Sequence, residues 1–199
     1  MKRRDFLITA TAATTLGLTS TTLGQTGLTV EMVHTDPFNP VLGNPDGDVT
    51  IVEFFDYQCP WCKKGYPDLM KTINDDGNVR LLMRDWPIFG ESSIHASRLV
   101  LATDREQYAP TLETLFATEG RLTIDQVNDM LSHAGHDIAD LKSRYRDRAA
   151  EVDGLIGRNM AIAQAFGFSG TPSFVIGTQV FFGYLDEQTL RDAIEQARA

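Results

Sequence analysis

Val49 to Phe55, "VTIVEFF", is a nearly continuous run of β-branched and aromatic residues interrupted only by Thr50 and Glu53. A strand with one face in water alternates apolar and polar side chains. A run this apolar is the pattern of a strand buried on both faces. At its C-terminal end stands "CPWCKKGYPDLMKTINDD", which reads as a helix. Pro60 is tolerated in its first turn, where the missing N–H has no helical partner in any case, and Pro67 is expected to kink it. A turn at Asn78 leads to "VRLLMRDWPIF", Val79 to Phe89, a second strand. Strand, helix and strand in this order form a βαβ unit, so the two strands should lie parallel in one sheet.

The remaining segments divide by periodicity. Residues 25–48 contain Pro37, Pro40 and Pro45 among turn formers and read as an extended lead-in with room for one short strand. Residues 91–168 show apolar positions at helical spacing and predict an all-helical insertion of roughly four helices. Thr123 with Gln126 has the form of a capping box, Asp137 is a candidate cap for one helix from 137 to 166, and Gly135 and Gly167 are natural stops. Strands return in "TPSFVIG" and "QVFFGY", a hairpin over Gly177 and Thr178, before a last helix with Asp186 as its cap. The expected fold class is α/β, with a small sheet domain formed by residues 49–90 and 169–199 and interrupted by the helices of 91–168.

The first 24 residues carry a different message. Lys2, Arg3 and Arg4 precede a modestly apolar, Thr-rich run from Phe6 to Leu18 and then small polar residues, the plan of an export signal with cleavage near Gly24. The run is shorter than the roughly 20 apolar residues that span a bilayer, so it reads as a removed leader and not a stable membrane anchor. "KRRDFLI" resembles a twin-arginine export signal; an ordinary secretory leader with a chance arginine pair is the alternative. Both place the mature protein in the periplasm or another extracytoplasmic space. The formal charge of −9 becomes −11 once Lys2, Arg3, Arg4 and Asp5 are removed. That sign argues against nucleic acid or anionic lipid as a partner.

Export gives meaning to the only two cysteines, Cys59 and Cys62. Disulfides form and persist outside the cytosol. A ring closed across two intervening residues is a poor structural staple, because the stabilisation from a cross-link grows with loop length. Zinc usually takes four ligands, and His34, His95, His133 and His136 form no recognisable spacing with the cysteines. Redox catalysis remains, with no metal or other cofactor implied. At the start of a helix, Cys59 should have a lowered pKa and act as the attacking thiol; Cys62, one turn on, would be more shielded and would resolve mixed disulfides. Lys63 and Lys64 either add positive potential or are solvated helix charges. Glu53, six residues before Cys59, either lies beneath the cysteines and exchanges a proton with Cys62 or faces solvent at a strand edge. Pro172 starts a strand, and X-Pro frequencies alone make its bond trans. Trp86 and Phe89 read as core or cap aromatics.

These residues, in "VTIVEFFDYQCPWCKKGYP" and "GFSGTPSFVIG", resemble the thioredoxin superfamily and, within it, the DsbA-like exported thiol:disulfide oxidoreductases. The resemblance covers nearly all of residues 38–199 and implies a thioredoxin fold with a helical insertion. It makes Cys59-Pro60-Trp61-Cys62 the redox-active disulfide, with Pro60 and Trp61 tuning its potential and Glu53 as the buried acid. Pro67 becomes the helix-kinking proline, and Thr171-Pro172 the cis-proline loop that binds a substrate's extended backbone. The implied function is the introduction of disulfides into reduced or misoxidised exported proteins by a monomer, with a quinone-linked membrane protein as reoxidant. Two alternatives stand beside it: a reductase or isomerase kept reduced by a membrane electron donor, and a non-catalytic, chaperone-like binding module.

Overall fold

The computed structural model describes residues 29–199. The expected leader and its cleavage point lie outside the described residues. Five strands form one sheet in the order β1-β3-β2-β4-β5, with β1 Val41–Gly43, β2 Val49–Phe55, β3 Val79–Asp85, β4 Ser173–Ile176 and β5 Gln179–Phe182. β2 and β3 run parallel, as the βαβ connection requires, and the other pairings are antiparallel. The helix between them is α2, Pro60–Asp76, and the chain ends in α8, Glu187–Arg198.

The apolar run that began the sequence reading is the central strand. Ile51, Phe55, Leu81 and Met83 face a core shared with α2, α8 and the inserted helices. Val52, Phe54 and Leu82 face a second core with Trp86, Phe168, Val33, Ile162 and Ala163. Covering both faces removes every β2 side chain except that of Thr50 from water, which stabilises the fold by roughly 1.5–3 kcal/mol per large aliphatic or aromatic residue.

Several boundaries differ from expectation for physical reasons. β3 stops at Asp85, not Phe89: Trp86 N–H makes a bond to the Phe55 carbonyl (2.8 Å), and the N–H groups of Ile88 and Phe89 turn instead to the Asp56 carboxylate. The lead-in contains a short helix, α1 Val30–His34, as well as the anticipated strand β1. Its last carbonyls are capped from across the fold: the fully buried Arg84 of β3 donates to Val33 O (2.6 and 3.1 Å) and Met32 O (3.1 Å). A cap supplied from 51 residues away in the chain has no local sequence signature.

Between β3 and β4 lie five helices where about four were expected: α3 Glu91–Leu101, α4 Arg105–Phe116, α5 Ile124–His133, α6 Ile138–Asp147 and α7 Ala149–Ala165. The extra one arises at Arg148, whose φ of −112° and ψ of 16° interrupt the long helix expected from 137 to 166. Its guanidinium is drawn to the Leu101 carbonyl (3.3 Å) and to Glu151. The Thr123–Gln126 capping box and the Asp137 and Asp186 caps are all formed. α2 continues through Pro67 and ends one residue before the expected turn, on Gly77 at φ 74°.

Candidate active site

The site is assembled on the turn between β2 and α2. Asp56 is buried there and accepts four hydrogen bonds: Gln58 N (2.7 Å) and Ser93 Oγ (2.7 Å) at Oδ1, Ile88 N (2.7 Å) and Phe89 N (3.1 Å) at Oδ2. One carboxylate thus fastens the entry to α2 onto the end of β3 and the start of α3. Gln58 adds a second tie, accepting from Leu122 N at 2.6 Å. Cys59 follows as the N-cap of α2, and its Sγ accepts from Cys62 N at 3.3 Å. Ser, Thr, Asp or Asn usually holds this position, where a side-chain acceptor meets the unpaired N–H groups of the first turn. Sulfur fills it here, so the helix end favours a negative charge on the thiol.

Both cysteines are free thiols and only 1% exposed, and Cys62 lies the deeper of the two, as expected. Electrostatics does. Cys59 is lowered to about 6 by the hydrogen bond from the Cys62 thiol, against the opposing effect of burial, with further help from the Thr171 side chain and the Cys62 and Trp61 backbone. Burial pushes Cys62 well up, and its hydrogen bond to Cys59 and the charge of Glu53 push the same way. As a thiol, Cys59 donates to the Thr171 carbonyl at 3.1 Å. This contact places the Thr171–Pro172 loop directly over the sulfur. The Thr171–Pro172 bond is cis, where X-Pro frequencies alone favoured trans. The loop is held by Gly183 N donating to Pro172 O at 2.9 Å and Ser173 Oγ donating to Gly170 O at 2.8 Å.

Glu53 does not lie at a solvent-facing edge. It occupies the central strand, 2% exposed, with Met83 and Phe174 as its register neighbours. Neither neighbour offers a charge, and burial, followed by the negative charge on Cys59, raises Glu53 to about 8. Lys63 is not a solvated helix charge either: at 9% exposed it donates to Thr118 Oγ1 (2.9 Å) and Gly120 O (2.8 Å). Lys64 stands over the rings of Trp61 (4.8 Å) and Tyr184 (5.5 Å). Pro60 and Trp61 form the first turn of α2, and Trp61 is 53% exposed beside the cysteines. Tyr184 supports its ring at 6.0 Å and donates to Asp68 Oδ2 at 2.8 Å.

The histidines are engaged elsewhere: His95 with Asn128, His136 with Thr111 and His133 with the Asp129 carbonyl. Among the described residues no group of three or more His, Cys, Asp or Glu is placed to hold a metal. Sequence reasoning missed Asp56, Gln58, Asp85 and Tyr184. The signal for the two aspartates was the same as for Glu53, an acidic residue in or just beyond a strand of otherwise apolar character.

The raised Glu53 carboxyl has a consequence for stability. A group whose folded pKa lies above its unfolded value of 4.5 favours the folded state fully below about 4.5 and loses that contribution as pH rises to about 8. At about 1.4 kcal/mol per unit, Glu53→Gln is expected to gain on the order of 5 kcal/mol over wild type between about pH 4.5 and 8. Urea unfolding of the reduced proteins at the two pH values measures this. A difference that does not move with pH means that Glu53 ionises as freely in the fold as in the unfolded chain.

A CxxC at the N-cap of a helix, just beyond the end of the central strand of a mixed sheet and beneath a proline loop, defines the fold of thiol-disulfide exchange proteins, a thioredoxin fold with a helical insertion. The chain belongs to the thioredoxin family: the family model described as Thioredoxin matches residues 35–196. Its solved relatives include DsbA-like proteins. A thioredoxin-like oxidoreductase from Silicibacter pomeroyi is 38% identical and superimposes with a TM-score of 0.81 over 86% of this chain and 98% of that one. The thiol-disulfide exchange protein alpha-DsbA2 from Wolbachia pipientis is 28% identical, with a TM-score of 0.77 over 83% and 90% of the two chains. The chain is also 28% identical over 174 residues to a Na(+)/H(+) antiporter, NhaA 1 of Salinispora arenicola. That match covers 84% of this chain but spans only 26% of the antiporter's length.

Proposed function

We propose that the protein is an extracytoplasmic thiol:disulfide oxidoreductase that introduces disulfides into substrate proteins through a Cys59–Cys62 disulfide. A substrate thiolate attacks Cys59 Sγ, the Cys59–Cys62 bond breaks, and its electron pair goes to Cys62. That sulfur, with its raised pKa, takes a proton from the Glu53 carboxyl. A second substrate thiolate then attacks the substrate sulfur of the mixed disulfide, and Cys59 leaves as a thiolate. The substrate has lost two electrons and the enzyme has gained them. Thr171 and Pro172 present backbone to the extended substrate, and Pro60 and Trp61 tune the helix end. Reduced or misoxidised exported proteins are the substrates, and a quinone-linked membrane protein restores the disulfide. The leader of residues 1–24 supports the location. No helix among the described residues is long and apolar enough to cross a membrane.

The observation that carries this reading is the unequal pair: Cys59 stabilised as a thiolate at the α2 N-cap, Cys62 pushed towards the protonated form. Stabilising the reduced form in this way makes a disulfide oxidising. One observation favours a reductase or isomerase kept reduced by a membrane electron donor. Cys59 at about 6 is closer to the value of about 7 for thioredoxin than to about 3.5 for DsbA. The reduction potential decides between them. The oxidase reading expects a value towards about −120 mV and an oxidised protein in its compartment, and a value near about −270 mV with a reduced protein would sink it.

A further inference from the structure

Tyr184 lies in the connection between β5 and α8 and takes no part in the exchange steps above. Yet it and the residue before it touch both halves of the cradle around the Cys59 sulfur. The first half is the start of α2, where Cys59 is the N-cap and Cys62 N donates to Cys59 Sγ at 3.3 Å. The second is the cis-proline loop, whose Thr171 carbonyl is 3.1 Å from the same sulfur. Gly183 N donates to Pro172 O at 2.9 Å, which fastens residue 183 to the loop. Tyr184, the next residue, is fastened to the helix.

That second attachment has several parts. The Tyr184 ring meets the Trp61 indole with centroids 6.0 Å apart and an interplanar angle of 42°. Its hydroxyl donates to Asp68 Oδ2 at 2.8 Å. Between these contacts, a Cβ on Gly65 would stand 3.0 Å from Tyr184 Cδ2 and 3.3 Å from Cε2. Trp61, Gly65 and Asp68 follow one another at helical spacing, i, i+4 and i+7, along one stripe of α2. Glycine inside a helix is unfavourable relative to alanine, and here the missing side chain is the space into which the tyrosine ring packs. Lys64 places its ammonium over both rings, 4.8 Å from that of Trp61 and 5.5 Å from that of Tyr184. Trp61 is therefore held in place although it is 53% exposed.

Holding the indole also holds the backbone that carries it. Trp61 is the second residue of α2, where the N–H has no partner within the helix. That N–H is one of the donors that favour the negative form of Cys59.

We propose that Tyr184 is a positioning residue for the redox pair: it keeps Trp61, and with it the first turn of α2, in a fixed place against the cis-proline loop, and so stabilises the reduced pair relative to the disulfide. This rests on the reading of Trp61 as a residue that tunes the potential. Two-electron reduction breaks the Cys59–Cys62 bond and leaves negative charge on Cys59, whereas the disulfide carries none. A donor kept in place at that sulfur is worth more to the charged product than to the neutral disulfide. Without the tyrosine ring the first turn is freer, and the donor is less well placed where the charge develops.

The test is a double-mutant cycle on the reduction potential, measured against glutathione in wild type, Tyr184→Ala, Trp61→Ala and the double variant. The worth of one aromatic contact sets the scale, so Tyr184→Ala is expected to shift the redox equilibrium about fivefold towards the disulfide. At about 30 mV per tenfold change this is a potential roughly 20 mV lower. In the Trp61→Ala background the same substitution is expected to change the equilibrium by less than about twofold. Tyr184→Phe keeps the ring and should stay within about twofold of wild type, a rescue that a general loss of packing would not give. If Trp61→Ala moves the potential but Tyr184→Ala shifts it equally in both backgrounds, or in neither, the positioning role is overturned and the reading of Trp61 stands. If Trp61→Ala leaves the potential unaltered, both fall. Should Tyr184→Ala fail to fold, Tyr184→Leu, which keeps bulk without the aromatic face, takes its place with the same expected outcomes.

Discussion

Cys59→Ser is expected to reduce exchange with a reduced, unfolded protein by on the order of a thousandfold or more, because it removes the group on which both steps depend. Cys62→Ser should behave differently. It keeps the thiol at the α2 N-cap, so attack still forms a mixed disulfide, but no second thiol remains to release it. Rapid-quench kinetics and mass spectrometry of trapped adducts distinguish the two: Cys62→Ser should accumulate enzyme–substrate disulfide through Cys59. Adducts on Cys62 in the Cys59→Ser protein, formed at comparable rates, would reverse the assignment. The expectation follows from the opposed shifts of the two thiols, Cys59 to about 6 and Cys62 well above its ordinary value. At neutral pH only the first is substantially thiolate, and the thiolate is the nucleophile.

Asp56→Ala should cost more stability than any single truncation of an apolar side chain in the turn. Four donors lose their acceptor together, namely Gln58 N, Ser93 Oγ, Ile88 N and Phe89 N. A buried donor left unpaired costs about 1–3 kcal/mol, so a loss on the order of 4 kcal/mol is expected even after partial rearrangement. Denaturant unfolding of Asp56→Ala and Ser93→Ala checks this. Ser93→Ala, which removes one donor along with its bond, should cost about 1 kcal/mol. Nearly equal losses in the two variants would mean that water replaces the carboxylate without penalty. The thiolate absorbance of Cys59 provides a second measure, because the turn that Asp56 fastens also sets the N-cap geometry.

The central strand, the helix bearing the cysteines and the final hairpin were legible because their causes are local. An unbroken apolar run, a cysteine pair at a strand's end and turn residues between two short strands act over a few positions. Glu53 was legible as a carboxylate in the wrong company. Asp85 had the same signature but sat in a stretch read as four residues too long, "VRLLMRDWPIF", where it passed as one polar position in a strand. The features that remained hidden depend on partners far along the chain. α1 exists where Arg84 caps its carbonyls, and β3 ends where Asp56 captures the next two N–H groups. Arg148 breaks a long apolar periodicity because Leu101 and Glu151 reward its departure from helical geometry. Lys63 read equally as a solvated charge or a source of positive potential until the loop after α4 supplied Thr118 and Gly120.

The contact between Cys59 and the Thr171 carbonyl joins residues 112 positions apart, with the whole helical insertion between them. For a chain synthesised from its N-terminus this sets an order of assembly. β2, α2 and β3 are available once the first half has emerged, and with them the helix end that turns Cys59 into a thiolate. The loop that covers the sulfur, and the strand β4 that closes the other edge of β2, arrive only after α7 is complete. The helix end that favours the Cys59 thiolate is therefore encoded well before the loop that covers it. The last few dozen residues close over a sulfur and a strand edge laid down 112 positions earlier.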